Sequence, residues 1–322
     1  MMLIRLLALL LLAPCLATVA AAQDWPTRTI RLVVPFPAGG SADVQARIIA
    51  DELSRAVGQP VIVENKPGAG GSIGAADAAR SAPDGYTLFM ATTGTHSSNI
   101  SLYPKLPYDP EKDFAPLTLV TIYPQVVVPG EKYPQKSLAE LVEALKKAGA
   151  SANYGSSGVG SPTHLGGELF KRHTGTQMVH VPYRGQGPAL NDLLGGRLDV
   201  VFPSIPDVLS FVQAGQLRAL ATMADKRSKA LPDVPTTAEL GHPELVSAIW
   251  SGLYTRAGTP QPVIDRLNRE LVQIIKSPVF KDKFEAIGFE VRPTTPAEFG
   301  AFAAAETKRW GEIIRALNIR LE

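Results

Sequence analysis

A glycine-containing loop near the start of the chain has the residue types that hold an anion. Residues 30–33 alternate as in a strand, and the following Gly39 and Gly40 would let a ligand approach the main chain. Ser41 is expected to cap a helix that begins there, and the free N–H groups of a helix start bind a carboxylate without converting it. The ligand-binding residues that we expect in this loop are Phe36, Pro37, Ala38, Gly39, Gly40, Ser41 and Asp43.

A second loop, residues 155–164, joins a short predicted strand to a predicted helix. Gly155 and Gly160 have the spacing of a phosphate-binding loop, but Ser161 stands where that chemistry requires lysine, which argues against a nucleotide. The hydroxyl and backbone N–H groups of this loop would instead hydrogen-bond a carboxylate. The ligand-binding residues that we expect here are Ser156, Ser157, Gly158, Ser161 and Thr163.

This second loop also raises an enzymatic alternative, a secreted serine hydrolase. A serine of the loop could act as nucleophile with His164 as its base, but Val159 stands where a G-x-S-x-G elbow around Ser157 needs glycine. His164 and Glu168 share a helix face, yet the spacing shows no third ligand for a metal. We therefore predict no catalytic residue and no metal site.

No cofactor is predicted either. Residues 65–74 are rich in glycine, but the third glycine, Gly74, comes one position late for the G-x-G-x-x-G pattern of dinucleotide sites. We interpret this segment as a tight turn that lets a helix pack closely on the sheet.

Thr93 and His96 follow the third predicted strand. Ligands of open α/β sheets lie beyond the carboxyl ends of the strands, so we expect both residues to share a cleft with residues 36–41. A capped turn without ligand contact is the alternative.

Three further polar residues belong to the second half of the chain. Tyr183 offers a ring and a hydroxyl, and the guanidinium of Arg184 suits a carboxylate unless it pairs with Asp192 or Asp207. If Asp207 faces the cleft, its carboxylate would favour a ligand with an ammonium group. We include Tyr183, Arg184 and Asp207 among the expected binding residues.

The elements that position these residues alternate between strand-like and helix-like segments from residue 29 onward. This alternation predicts an α/β architecture with mostly parallel sheets. Strand-like segments at residues 117–122, 126–128 and 248–254 predict that the chain crosses into a second domain and returns. We expect domain 1 at residues 23–124 plus 247–322 and domain 2 at residues 125–246.

Residues 1–22 predict a cleaved export signal, with Arg5 before an apolar stretch and a small-residue cleavage site near Ala22 and Gln23. The apolar stretch is shorter than the roughly 20 residues of a membrane span and is interrupted by Pro14, which disfavours an anchor. Pro14 also disfavours lipid attachment at Cys15, the only cysteine. The exported chain would lack disulfides and thiol chemistry.

Composition limits the partners. The formal net charge is +2, and it falls to +1 when Arg5 is removed with the signal. Because no basic stripe or run of like charges is present, we expect no nucleic acid and no membrane surface as partner.

Five motifs in order along the mature chain resemble the tripartite tricarboxylate transporter substrate-binding proteins, the Bug-type periplasmic receptors. They are Val34-Pro35-Phe36 with Gly39-Gly40 and Asp43, Asn65-x-Pro67-Gly68-Ala69-Gly70-Gly71, Asp84-Gly85-Tyr86-Thr87-Leu88, Tyr154-Gly155-Ser156-Ser157-Gly158 with His164-Leu165, and Pro182-Tyr183-x-Gly185.

The resemblance implies a monomeric two-domain periplasmic binding protein, similar to type II, with a ligand cleft between its domains. In that family the loop matching residues 36–41 holds one carboxylate end, partly through ordered water, and loops of the second domain select the other end. The implied function is capture of a small di- or tricarboxylate or aromatic acid by hinge closure and its delivery to membrane permease subunits. A sensory co-receptor that presents the acid to a membrane kinase is the alternative.

Overall fold

The first sheet draws its strands from both ends of the chain in a computed structural model that describes residues 25–317 and 319–320. The predicted signal, residues 1–22, lies outside the described residues. The N-terminal elements are β1 (Ile30–Val34), α1 (Ser41–Val57), β2 (Val61–Asn65), α2 (Ser72–Ala79), β3 (Thr87–Thr92), α3 (Asn99–Leu102) and β4 (Phe114–Pro124). A π-helical turn (Gly94–Ser98) precedes α3.

The second sheet is built by the middle of the chain. Its elements are β5 (Val126–Pro129), α4 (Leu138–Ala148), β6 (Ala152–Ser156), α5 (Pro162–Thr174), β7 (Met178–Pro182), α6 (Gln186–Leu194), β8 (Val200–Val201), α7 (Ile205–Gln213) and β9 (Ala221–Thr222). The strand order is β7-β6-β8-β5-β9. Ser137 caps α4 by accepting the Glu140 N–H, as its sequence position predicts.

The chain then returns to the first sheet. The returning elements are β10 (Ala248–Arg256), α8 (Gln261–Lys276), α9 (Pro278–Glu285), β11 (Glu290–Val291) and α10 (Pro296–Leu317). The first sheet has the order β11-β4-β10-β3-β1-β2. No helix in the described part of the chain is both long and apolar enough to cross a membrane.

The two-domain α/β fold predicted from the sequence is confirmed, but the sheets are mixed and not mostly parallel. β1 pairs in parallel with β2 and β3, whereas β10 runs antiparallel to both β3 and β4. In the second sheet β5 is likewise antiparallel to β8 and β9. The strands next to the crossing, β4, β5, β9 and β10, all take part in antiparallel pairs, and β11 is also antiparallel to β4.

Gln125 and Ser247 lie side by side where the chain changes sheets. The Gln125 N–H donates to the Ser247 carbonyl over 3.0 Å. The Gln125 amide Nε2 donates to the carbonyls of Pro162 (3.1 Å) and Phe202 (2.9 Å), and the Ser247 hydroxyl donates to its Oε1. These contacts coincide with the predicted domain boundaries, which stay a prediction.

Helices cover both faces of the first sheet. Leu32 of β1 packs with Ile49 of α1 and Leu271 of α8 on one face, so the apolar side of the amphipathic helix α8 faces the sheet. α10 extends from the first domain to the second. Its Trp310 and Ile314 are buried against Leu165 of α5, because the far end of this 22-residue helix reaches the second domain.

Candidate functional site

The start of α1 has no side-chain cap. Gly40 is the N-cap residue, with φ −75° and ψ 166°, and Ser41 is the first helical residue, so the prediction that Ser41 caps the helix is wrong. Gly39 before it has φ +84°, a conformation that glycine adopts without strain. Pro37, Ala38, Gly39 and Gly40 are all exposed, which leaves the backbone of this loop accessible.

Asp43 holds this loop in place. Its carboxylate is buried and accepts the Gly39 N–H (2.8 Å), Arg47 Nε (2.9 Å) and Asn65 Nδ2 (2.8 Å). Asn65 also donates to the Phe36 carbonyl over 3.0 Å. Burial favours a higher pKa for Asp43, but these donors outweigh it and lower the pKa. The carboxylate is occupied by the loop, so Asp43 positions Gly39 instead of facing a ligand as we expected.

Close packing fixes the base of the loop. A Cβ atom on Gly74 would lie 2.9 Å from the Lys66 carbonyl and 3.0 Å from Pro35 Cα. The interpretation of residues 65–74 as a turn that brings α2 close to the sheet is therefore confirmed.

His96 does not line the cleft, which corrects its assignment as a ligand contact. Its ring lies in the core of the first domain, with ring centroids 4.3 Å from Tyr254, 4.7 Å from Phe114 and 5.5 Å from Phe89. Burial lowers its pKa to about 3. Thr93 is also fully buried, and its hydroxyl oxygen accepts the Trp250 N–H over 2.9 Å, so its side chain serves the sheet.

A cluster of hydroxyl groups forms the second-domain loop. Thr163 Oγ1 accepts the Ser157 N–H (2.8 Å) and lies 2.9 Å from Ser157 Oγ and 3.1 Å from Ser161 Oγ. Ser161 is the N-cap of α5 and donates to the Gly158 carbonyl over 2.7 Å. Gly158 has φ +137°. The network presents Ser157 and Gly158, both partly exposed, at one edge of the loop.

Two stacked histidines lie under this loop, and one of them, His180, has no local sequence pattern that predicts its place there. The His164 and His180 rings are 4.0 Å apart, and Ser156 Oγ lies 2.6 Å from His180 Nε2. The Gly160 N–H donates to His164 Nδ1 over 3.0 Å, which requires that nitrogen to be unprotonated. Burial lowers the pKa of both rings, that of His180 to about 4.

These contacts do not assemble the nucleophile and base of the hydrolase alternative. Ser157 contacts Thr163 and not His164, and the Ser156 side chain beside His180 is fully buried. Glu168 is held by the Tyr154 hydroxyl and by Lys171, each at 2.7 Å. Among residues 25–317 and 319–320 no three metal-binding side chains cluster.

The loop after β7 contributes polar groups of two kinds. The Tyr183 hydroxyl donates to Asp192 Oδ2 (2.8 Å), and Arg197 binds the other oxygen of that carboxylate, so Asp192 does not hold Arg184. Arg184 is exposed. Gln186, which we did not single out from the sequence, has both amide atoms buried without a hydrogen-bond partner among the described residues.

Asp207 joins the two domains. Its Oδ1 accepts the Ser41 hydroxyl over 3.4 Å, and its Oδ2 accepts the Ser204 hydroxyl. Burial raises the pKa of Asp207 despite these two donors. Asp207 therefore contacts the α1 start of the opposite domain.

The structure thus has two α/β domains joined by crossing strands, and Ser41 at the uncapped start of α1 contacts Asp207 of the other domain. The family model described as "Tripartite tricarboxylate transporter family receptor" matches residues 45–319. The chain belongs to this family, which is a family of receptors and not of enzymes.

Curated and solved relatives agree over nearly the whole chain. Protein BugT of Bordetella pertussis is 38% identical over 322 residues, covering 99% of each chain. A solved R. palustris protein, Rpa4515 with adipate, is 35% identical with a TM-score of 0.87, covering 92% of this chain and 100% of its own. MatC from Rhodopseudomonas palustris with bound malate is 32% identical with a TM-score of 0.82, covering 90% and 100%.

Proposed function

We propose that this protein is a periplasmic receptor that captures a small organic carboxylate between its two domains and passes it unchanged to a tripartite tricarboxylate permease. The uncapped start of α1 is the main support for the proposal. Because the N-cap residue Gly40 has no side chain, no capping side chain accepts a hydrogen bond from the N–H groups of the first helical turn. The Asp43 carboxylate fixes Gly39 beside them. Relatives solved with malate and adipate support the same ligand class.

The second domain would hold the other end of the ligand. Ser157, Gly158 and Thr163 form the hydroxyl-lined loop, and Arg184 adds an exposed guanidinium on the neighbouring loop. Micromolar affinity corresponds to about 8 kcal/mol, which a few charge-assisted hydrogen bonds in a closed cleft can supply. Export through residues 1–22, action as a monomer and contact with permease subunits belong to this proposal.

A thermal-shift screen followed by calorimetry on the mature protein tests it. We expect mono-, di- or tricarboxylates, aromatic acids or amino acids to raise the melting temperature, because a ligand that binds only the folded state stabilises it by mass action. For each acid that binds, the matched control is the analogue in which every carboxylate is replaced by a neutral carboxamide, and this analogue should not bind. A shift with sugars or cations but with no acid would overturn the ligand class.

The absence of chemistry is tested on the same samples. NMR of the recovered acid should show it unchanged after prolonged incubation. Turnover that disappears in Ser157→Ala would instead support the hydrolase alternative.

A further inference from the structure

Asp207 is the one acidic residue that the structure shows in direct side-chain contact with the proposed ligand-binding loop from the opposite domain. Its Oδ1 lies 3.4 Å from the hydroxyl of Ser41, the first residue of α1, while Oδ2 accepts the hydroxyl of Ser204 on its own domain. Any acid held at the start of α1 would therefore lie close to this carboxylate.

The surroundings of Asp207 supply hydrogen bonds but no positive charge. Its donors among the described residues are neutral, and the residue with which it interacts electrostatically is Tyr123, a buried phenol. A carboxylate offers about four lone-pair positions, and the hydroxyls of Ser41 and Ser204 together with the Ser204 backbone leave room for a further donor. Burial without a cation disfavours the charged form, so a bound cation would relieve an existing electrostatic penalty.

A role in stabilising its own helix explains only one of the two side-chain contacts of Asp207. Asp207 lies in the first turn of α7 after the N-cap Ser204, where an acidic residue stabilises its own helix. That role involves the Ser204 side of the residue. It does not account for Oδ1, which is directed to Ser41 on the other domain.

We propose that Asp207 selects a ligand with an ammonium group on the carbon next to the captured carboxylate, which makes the ligand an α-amino dicarboxylic acid. This inference rests on the proposed function. The first carboxylate would bind the N–H groups at the α1 start, and the ammonium would bind Asp207. The second carboxylate would meet the hydroxyl-lined loop of the second domain, beside the guanidinium of Arg184.

Charge complementarity also excludes ligands. Succinate differs from aspartate only in lacking the ammonium, so it would place a carboxylate beside Asp207 without compensation. L-Malate carries a hydroxyl at the same carbon, which can donate one neutral hydrogen bond to Asp207. The expected order of affinity is aspartate, then malate, then succinate.

Calorimetry of the wild-type mature protein with L-aspartate, L-malate and succinate tests the proposal. We expect aspartate to bind at least tenfold more tightly than succinate. L-Glutamate and glutarate form a second matched pair and test the same preference at a longer chain length. These comparisons need no variant, so they remain decisive even where a substitution at Asp207 reduces stability.

Asp207→Asn then tests the residue itself. The variant keeps an oxygen acceptor but loses the charge, and we expect it to lose the preference for the amino acid over succinate. Asp51→Asn removes the same charge from an exposed position on α1, ten residues after Ser41 and about 15 Å of helix away from it, and should keep the preference.

Equal binding of succinate and aspartate by the wild type would overturn the inference and leave the proposed function standing. Equal binding of malate and aspartate would overturn it too, since Asp207 would then recognise a hydrogen-bond donor and not a cation. A preference that survives in Asp207→Asn would also overturn it. Failure of all the acids to bind would overturn the proposed function together with the inference.

Discussion

Several polar side chains near the proposed binding loop form hydrogen bonds with other groups of the protein and are therefore not free to bind a ligand. Asp43 uses its carboxylate to hold Gly39, Arg47 and Asn65. Gln45, which is fully buried, accepts the hydroxyls of Thr121 and Ser251, each at 2.7 Å. At the α1 start, the groups left for the proposed ligand are therefore mostly backbone N–H groups.

The buried His96 makes the stability of the protein depend on pH. Its pKa is about 3 in the folded protein, against about 6.5 in an unfolded chain, so between these values only the unfolded chain takes up the proton. The contribution of the neutral His96 ring to the free energy of unfolding is therefore fully present well above pH 6.5 and is lost progressively as the pH falls below that value. At pH 5.5 the loss from this residue is about 1.4 kcal/mol.

His96→Phe removes this titration and suits the aromatic surroundings of Phe89, Phe114 and Tyr254. We expect the difference in unfolding free energy between pH 7.5 and 5.5, measured by urea denaturation, to be about 1.4 kcal/mol smaller than in the wild type. His173→Asn, at an exposed position, is the control. A variant as sensitive to acid as the wild type would contradict this assignment.

The sequence predicted the residue types of the site better than the directions of their side chains. The glycine loop, the hydroxyl-rich loop and Asp207 could be singled out because each carries a local sequence signal, and their contact with a ligand stays a prediction. His96 was misplaced because the aromatic residues that enclose it, such as Phe114 and Tyr254, are remote in sequence. His180 and Gln186 have no local pattern at all, since their surroundings arise only when β7 and α6 pack beside β6 and its loop.

Some helix starts of the described chain are capped by a side chain and others, α1 among them, are not; α2, α3, α6, α7 and α8 also lack such a cap. Serine hydroxyls cap α4, α5 and α9, through Ser137, Ser161 and Ser277. At α1 the N-cap is Gly40, which contributes no acceptor. We expected Ser41 to be the N-cap because serine is favoured at that position. In the structure the helix begins one residue earlier than expected, so Gly40 is the N-cap and Ser41 is the first helical residue.

Gly40→Asp should separate the stability of α1 from ligand binding. The extended backbone of Gly40 accepts a side chain, and its nearest neighbour would be the Pro37 carbonyl at 3.6 Å. An aspartate there would cap the helix and stabilise the ligand-free protein by a few tenths of a kcal/mol. The same carboxylate would compete with the ligand and repel it.

We expect at least a tenfold loss of affinity, about 1.4 kcal/mol, for any acid that the wild type binds. Gly40→Ala adds a Cβ atom without a capping group and is the control for steric effects. Calorimetry measures the affinity, and thermal denaturation of the ligand-free proteins measures the cap. Unchanged affinity in Gly40→Asp would show that the α1 start does not hold the ligand.

Alternation of strands and helices predicted the two-sheet architecture, because each such unit buries its own apolar face locally. The direction of β10 and the reach of α10 were not predictable in this way. β10 pairs with β3 and β4 across more than 120 residues of intervening chain, and α10 packs on α5 through Trp310 and Ile314. Together with the crossing at Gln125, this contact limits how the domains can move apart.

Hinge closure predicts that ligand binding shortens the distance between the domains. The mature chain is expected to lack cysteine, so Asp51→Cys on α1 and Lys147→Cys on α4 can carry two spin labels at exposed positions. Without ligand we expect a broad distribution that includes longer distances, because no ligand then bridges the two domains. A saturating acid from the screen should narrow the distribution to its short end. The pair Lys147→Cys and Asn191→Cys, both on the second domain, should not respond, and an interdomain distance unaffected by the acid would rule out closure as the binding mechanism.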